Sequence, residues 1–204
     1  MSLMTYSSDD IKAALSALRS GGVILYPTDT IWGIGCDATD EAAVRRVYEI
    51  KRRDDSKALI LLTDSVESLR RYVPSDCLTD EVLSVVAPCD EMAQSRPVTV
   101  IYPRVSNLPA SLLAADGSVA IRITREAFSR DLCAALGRPL VSTSANRSGQ
   151  PAAQCFAQID MQIADAVDYV CRYRQDDATP ALPSMILRLN MDPQGNVSFA
   201  TIRK

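Results

Sequence analysis

Cationic side chains cluster in one short stretch of the chain. Lys51, Arg53 and Lys57 come at the end of a predicted amphipathic helix and just before an apolar strand. An arginine binds two oxygens with its planar fork and a lysine supplies a point charge, so the group suits a triphosphate. The ordinary alternative is a solvated basic helix end that complements the helix macrodipole. The local sequence leaves both interpretations open.

Hydroxyl and amide side chains form a second candidate group. Ser142, Ser144 and Asn146 alternate directly after an apolar run. Loops of this composition usually satisfy only their own turn hydrogen bonds. These residues, however, come just past the carboxyl end of a predicted strand, which is where open α/β sheets bind ligands. Their position therefore favours a ligand-binding role.

Arg122 interrupts an apolar strand predicted over residues 118–123. The alternation of a strand places it on the face opposite Ile121 and Ile123. Because a buried charge is costly unless it is paired, we expect Arg122 to meet a carboxylate of the protein or of a ligand.

A loop of hydroxyl residues and glycines follows the strand predicted over 23–26. Thr28, Asp29 and Thr30 precede Gly33 and Gly35, and free backbone N–H groups in such a loop suit an anion. An Asx or Ser/Thr turn without any ligand is the alternative. The sequence has no Walker A pattern, so it is not a P-loop NTPase.

Composition excludes several classes of site. The 204 residues contain no histidine, so histidine bases and histidine metal ligands are absent, and the six cysteines form no C-x-x-C pair. We predict no protein-ligated metal. The net charge is −3, so any polyanion binding depends on a local basic patch. No apolar run reaches the roughly 20 residues of a membrane span and no secretory signal is recognisable, so we expect a cytoplasmic protein that does not bind membranes.

Helices and strands alternate along the chain, which predicts one α/β domain over residues 1–204 with an open, twisted, mixed sheet and helices on its faces. Helices are predicted over 8–19, 40–51, 65–74, 79–86, 126–136 and 157–164, with a short one near 111–115. Strands are predicted over 23–26, 58–62, 98–102, 118–123, 139–142, 166–170, 184–189 and 197–202.

Several stretches together resemble the YrdC-like family, the threonylcarbamoyl-AMP synthases, over nearly the whole chain. The matching stretches keep the family's order and spacing: YPTDTIWGIG at 26–35, the KxR…K pattern of Lys51, Arg53 and Lys57, VAIR at 119–122, STSANRSG at 142–149, PSMI at 183–186 and Arg203. The chain departs from the family's usual sequence at Arg52-Arg53-Asp54, at Ser95-Arg96-Pro97, and at Leu62, where some members have histidine.

The resemblance implies a large concave cavity of positive potential and a reaction. L-threonine, bicarbonate and ATP with Mg²⁺ would give threonylcarbamoyl-AMP and pyrophosphate. Downstream threonylcarbamoyl-transferase proteins would then modify tRNA, and the family is also similar in its affinity for tRNA or double-stranded RNA. Such chemistry needs positioned cations and N–H donors more than a histidine base.

The resemblance also implies residue roles. Lys51 and Arg53 would be catalytic and, with Lys57, would hold the phosphates. Further nucleotide contacts would come from Ser118, Ser144, Asn146 and Arg203. L-threonine would be bound by Arg122, which pairs with its carboxylate, and by Thr30, Ser142 and Ser184.

Two other interpretations stay open. The first is a non-catalytic module that binds double-stranded RNA or tRNA through the same basic cavity and acts in translation. The second is a paralogue that uses another amino acid or carbamoyl donor.

Overall fold

The structure, a computed structural model, describes residues 6–52, 59–87 and 96–204. Its helices begin at side-chain caps: the Ser7 hydroxyl accepts the N–H of Asp9, Asp40 accepts those of Ala42 and Ala43, and Glu126 caps a later helix. The α-helices within the described ranges are α1 Ser8–Arg19, α2 Glu41–Lys51, α3 Val66–Leu69, α4 Asp80–Val86, α5 Ala127–Leu136 and α6 Met161–Ala164.

The strands form one mixed sheet, as the alternation of elements predicts. They are β1 Ile24–Tyr26, β2 Gly33–Gly35, β3 Ile60–Thr63, β4 Val98–Tyr102, β5 Val119–Ile123, β6 Leu140–Ser144, β7 Tyr169–Val170, β8 Met185–Met191 and β9 Val197–Arg203. Their order is β7-β1-β2-β6-β3-β5-β4-β8-β9. The pairs β1–β7, β3–β5 and β4–β8 are parallel and the others antiparallel.

One face of the sheet packs against helices over its central strands. Leu61, Val100, Ile121 and Val141 of the central strands belong to the larger buried cluster. Helices α2, α3 and α4 contribute their apolar sides to the same cluster, through residues such as Val47. This side therefore forms the main core.

The opposite face is covered only in part. Helices α1 and α5 pack over β1 and the ends of β3 and β6, where Leu18 and Phe128 meet Tyr26, Leu62 and Leu140 in a second cluster. Leu62, one of the positions at which the chain departs from the family it resembles, is thus an interior residue of this cluster. The part of the face beyond it, over β4, β5, β8 and β9, is open and forms the cavity described below.

Predictions from local sequence patterns were wrong at several elements. Gly33–Gly35 is a strand and not a loop, because β2 pairs with both β1 and β6. The helix predicted up to 74 is the single turn Val66–Leu69. The helix predicted over 157–164 is a 3₁₀ turn, Phe156–Gln158, followed by α6, and the piece near 111–115 is the 3₁₀ turn Ala110–Leu112. In the described part of the chain, no helix has the length and apolar character needed to cross a bilayer.

Candidate functional site

A cavity of about 320 Å³ occupies the open part of the sheet face. The strands alternate, so the residues that face it are the neighbours of the core residues: Ile60, Ile101, Ala120, Arg122, Ser142 and Ile186. The loop 30–32 and strand β9 complete the wall with Trp32, Ile202 and Arg203. This volume lies at the lower end of the roughly 300–1,000 Å³ of small-molecule sites. The described residues therefore do not show the large cavity that the resemblance implies.

Arg122 is buried in this cavity and meets a carboxylate of the protein. Its Nη2 atom lies 3.1 Å from Oδ1 of Asp29 and donates to Oγ1 of Thr30 at 3.3 Å. The side chains of Arg122 and Asp29 are only 4% and 8% exposed. Arg122 Nε and Asp29 Oδ1 are buried without a well-directed hydrogen bond among the described residues. The guanidinium is thus held from one side and keeps unused donor capacity.

The hydroxyl turn at 28–30 is built by short contacts. The backbone N–H of Thr30 donates to Oγ1 of Thr28 at 3.0 Å, and that hydroxyl donates to the carbonyl of Ile31 at 2.9 Å. Arg174 Nη1 donates to the carbonyl of Thr28 at 3.0 Å. The alternative of a Ser/Thr turn is therefore correct as local structure, and this turn delivers Thr30 to the cavity wall.

A second cationic group lies at the other end of the cavity, around Ser184. The Ser184 hydroxyl lies 2.8 Å from that of Thr99, and Arg203 donates to the Ser184 carbonyl at 3.0 Å and to its hydroxyl at 3.2 Å. Arg96 donates twice to the carbonyl of Pro183, at 2.8 and 2.6 Å. Burial and the charges of Arg96 and Arg122 lower the pKa of Arg203. A ligand anion here would relieve this repulsion.

The strand β6 supplies hydroxyls to the cavity floor. Ser142 pairs with Ile60 on β3, and both Ser142 and Ser144 line the cavity. Next to them, the hydroxyl of Tyr26 donates to the Val141 carbonyl at 3.2 Å, and burial raises the pKa of Tyr26 well above its usual value. This tyrosine is a neutral structural group at neutral pH.

Lys51 does not line this cavity. It is 2% exposed, and its ammonium donates to the Asn146 carbonyl at 2.6 Å and to the Ser144 carbonyl at a short distance. The end of α2 is thereby tied to the loop after β6. The predicted role of Lys51 in phosphate binding stays a prediction.

Of the remaining residues predicted to bind the nucleotide, those that the structure describes do not line the cavity that contains Arg122. Asn146 lines an adjoining cavity of about 390 Å³ with Arg147, Gln150 and Asp160, and Ala152 lines both cavities. Ser118 shares the alternation of Ala120 and Arg122 on β5, but its hydroxyl donates to Oδ1 of Asp116 at 2.6 Å and it lines neither cavity. Arg53 and Lys57 lie outside the described residues, as does Ser95.

The structure adds residues that the sequence did not single out. Asp29 was visible only as a turn residue, and Arg96 only as a departure from a family pattern. Trp32, the single tryptophan of the chain, is buried in the wall of the cavity. The available sequence signal for Asp29 and Arg96 was an isolated charge close to an apolar strand. Such a charge needs a partner, but sequence spacing does not identify a partner that lies far away along the chain.

No cluster of three or more potential metal ligands occurs among the described residues.

Comparisons with known proteins identify the family. The Sua5/YciO/YrdC family model, described as "Telomere recombination", matches residues 16–199. A threonylcarbamoyl-AMP synthase of Klebsiella pneumoniae is 36% identical over 163 residues, which cover 80% of this chain and 84% of that protein. A threonylcarbamoyl-AMP synthase of Xanthomonas oryzae is 40% identical over 161 residues, which cover 77% of this chain and 82% of that protein.

Solved structures agree on the fold. E. coli YciO superposes with a TM-score of 0.77 at 22% identity, over 97% of this chain and 90% of YciO. P. abyssi Sua5 in complex with L-threonine superposes with a TM-score of 0.73 at 23% identity, over 90% of this chain. The match spans about half of that Sua5 chain, 52%. From its sequence and its fold, the chain belongs to the Sua5/YciO/YrdC family.

Proposed function

We propose that this chain is a threonylcarbamoyl-AMP synthase, which joins L-threonine, bicarbonate and ATP into threonylcarbamoyl-AMP and releases pyrophosphate. The observation that carries the proposal is the cavity in which Arg122, five hydroxyl residues and Arg203 converge from distant parts of the chain. The close relatives named for this activity support it.

Arg122 is the proposed partner of the threonine carboxylate. It is a buried guanidinium whose Nε has no partner among the described residues, in a cavity that also contains aliphatic side chains, and a guanidinium fork matches a carboxylate. Thr30 contacts the guanidinium, Ser142 lines the same cavity, and Ser184 lines it at the Arg203 end; all three are proposed to bind threonine through their hydroxyls. Ile60, Ile101 and Ala120 supply apolar contact of a kind that suits the methyl group of threonine.

The nucleotide is proposed to extend from the Arg203 end toward the adjoining cavity at Asn146. Arg203 and Ser144 line the first cavity, Asn146 lines the second, and Ala152 joins them. Arg53 and Lys57, which follow α2 in the sequence, are proposed to bind the phosphates with Lys51. Ser118 is proposed as a further contact to the nucleotide, which requires its hydroxyl to leave Asp116.

The proposed reaction has two bond-forming steps. The α-amine of threonine bonds to the carbon of bicarbonate and water leaves. An oxygen of the resulting carbamate then attacks the α-phosphorus of ATP, and pyrophosphate leaves, so the enzyme is a nucleotidyltransferase. Both steps bring anions together, and the arginines of the cavity would offset that charge in a site shielded from water.

Mg²⁺ is proposed to enter with ATP, bound by oxygens of the triphosphate as is common for this ion. It would neutralise charge on the phosphates. The product is proposed to pass to threonylcarbamoyl-transferase proteins that modify tRNA in the cytoplasm.

A pyrophosphate-release assay tests the proposal. With ATP and Mg²⁺ at saturation, release is expected only when L-threonine and bicarbonate are both present. The product is identified by mass spectrometry as threonylcarbamoyl-AMP. Release that needs neither substrate, or none with all of them present, would contradict the proposal. Replacing threonine by serine or valine tests whether another amino acid is the substrate.

A further inference from the structure

The two cationic ends of the cavity differ in how their charge is balanced. Arg122 has a carboxylate partner, Asp29, at 3.1 Å. In the part of the chain that the structure describes, Arg203 and Arg96 donate to backbone carbonyls and a hydroxyl, and neither forms an ion pair. Arg122 therefore has a compensating carboxylate beside it, whereas Arg203 and Arg96 have none among the described residues.

Asp29 lies behind Arg122, outside the residues that line the cavity. Its Oδ2 atom accepts the backbone N–H of Arg125 at 3.3 Å, so the carboxylate is fixed by the chain that follows β5. Its side chain is 8% exposed, and water therefore screens its charge only weakly. A ligand at Arg122 meets the negative field of Asp29 together with the positive field of the guanidinium.

We infer that Asp29 is a positioning and specificity-determining residue that sorts ligands by charge within the cavity. This inference rests on the proposed function in one respect, the identity of L-threonine as the amino acid bound at Arg122. A zwitterionic amino acid has no net charge, so attraction and repulsion by Asp29 largely cancel. A phosphate group carries one to two negative charges and is repelled from Arg122 by Asp29, which leaves it to the Arg203 end. Asp29 thereby keeps Arg122 available for the amino acid while ATP and pyrophosphate are present.

The test compares the neutral isostere Asp29→Asn with Asp29→Glu, which keeps the charge. Binding of inorganic phosphate and of L-threonine is measured separately, by calorimetry and by the fluorescence of Trp32 in the cavity wall. Asp29→Asn is expected to bind phosphate about tenfold more tightly than the unsubstituted protein, and threonine within about threefold. Asp29→Glu is expected to keep the original ratio of the two affinities.

A matched control is Asp37→Asn. Asp37 is also a buried aspartate in an ion pair, with Arg138 at 2.6 Å, but its partner Arg138 lines neither cavity, whereas Arg122 does. This variant is expected to leave both affinities unchanged. Asp29→Ser provides a second neutral variant if the amide proves unstable.

The phosphate measurement decides the inference by itself. Phosphate affinity that is equal in Asp29→Asn and in the unsubstituted protein would overturn it. If the gain in phosphate affinity is lost again in Asp29→Asn combined with Arg122→Gln, the added site is at Arg122 and the inference stands. Failure of the unsubstituted protein to bind threonine would instead remove the proposed function, and leave the phosphate result intact.

Discussion

The ammonium nitrogen of Lys51 lies 2.6 Å from the carbonyl oxygen of Asn146, so the last residue of α2 holds the loop that follows β6. The same ammonium contacts the Ser144 carbonyl. Ser144, the last residue of β6, lines one cavity, and Asn146, in this loop, lines the other. The position of the loop therefore depends on a charge that is 2% exposed.

Lys51→Met keeps the aliphatic stem and removes the donor. Because buried carbonyls then lose a charged hydrogen-bond partner, we expect the free energy of unfolding to fall by about 3 kcal/mol. Urea denaturation measures this. Lys12→Met is the control, since Lys12 is 74% exposed and its surface ion pair is expected to contribute less than about 0.5 kcal/mol. Equal urea midpoints for Lys51→Met and the unsubstituted protein would contradict the prediction.

Arg122→Lys tests the site without removing its charge. A lysine keeps a partner for Asp29 but loses the planar fork. We expect the threonine concentration for half-maximal pyrophosphate release to rise about tenfold or more, with the ATP requirement nearly unchanged.

The same variant separates the synthase from a module that only binds RNA. RNA affinity, measured at several salt concentrations, is expected to be equal in Arg122→Lys and in the unsubstituted protein. A parallel loss of RNA and threonine binding would favour the RNA-binding interpretation.

Gly35→Ala is expected to disrupt the junction of β2 and β6. A Cβ at Gly35 would lie 2.2 Å from the Val141 carbonyl oxygen and 2.7 Å from a ring carbon of Tyr26. The carbonyl cannot move without parting the strands, and the Tyr26 ring is fully buried. We expect a loss of more than about 3 kcal/mol in unfolding free energy. Thermal unfolding followed by circular dichroism measures it.

Gly33→Ala, in the same strand, is the matched control for Gly35→Ala. The nearest atom to its Cβ would be Oγ of Ser142 at 3.2 Å, and a hydroxyl rotates away at small cost. The two variants should therefore differ clearly in melting temperature. Similar melting temperatures for the two variants would contradict the prediction that a Cβ at Gly35 clashes with Val141.

We predict that Asp168 contributes to the loss of unfolding free energy at acid pH. Its hydrogen bond from Arg46 lowers its pKa below the usual 3.8, and the N–H of Val23 donates to it as well. For a carboxylate with a lowered pKa, the folded state holds its proton more weakly than the unfolded state. This stabilisation is therefore complete at neutral pH and is lost as the pH falls through 4 and below.

Asp168→Asn should make the free energy of unfolding less dependent on pH below neutral. Since Asp168 is 41% exposed, solvent screening limits the difference to about 0.5–1 kcal/mol. Urea denaturation at pH 7 and at pH 3.5 measures it, and the variant should lose less stability between the two. An identical loss in both proteins would rule out Asp168 as a contributor.

Sequence patterns located most of the elements whose ends are set by nearby residues, such as a proline or a helix cap. The strand predicted over 98–102 has those bounds in the structure, because Pro103 ends a β-branched apolar run. The helix that ends at Lys51 was equally clear, because its cap and apolar face agree. β2 was missed since its two glycines disfavour a strand by themselves; the close approach of β6 at Gly35 explains why a glycine stands there.

The site was predictable only in part. The sequence indicated that Arg122 needs a carboxylate, but the choice of Asp29 depends on how β5 meets the loop after β1. Likewise, nothing local reveals that Arg96 and Arg203 donate to neighbouring residues, Pro183 and Ser184. Partners far apart along the chain are set by the topology of the sheet, and local patterns do not contain that information.

The wall of the cavity draws on Thr30, in the loop after β1, and on Arg203, the last residue of β9. A folding chain therefore has no finished binding site until β9 has joined the sheet. A bound ligand would consequently brace these two distant segments at once and raise the melting temperature of the sheet by mass action. Occupancy of this cavity can thus be read as a report on the correct docking of β9.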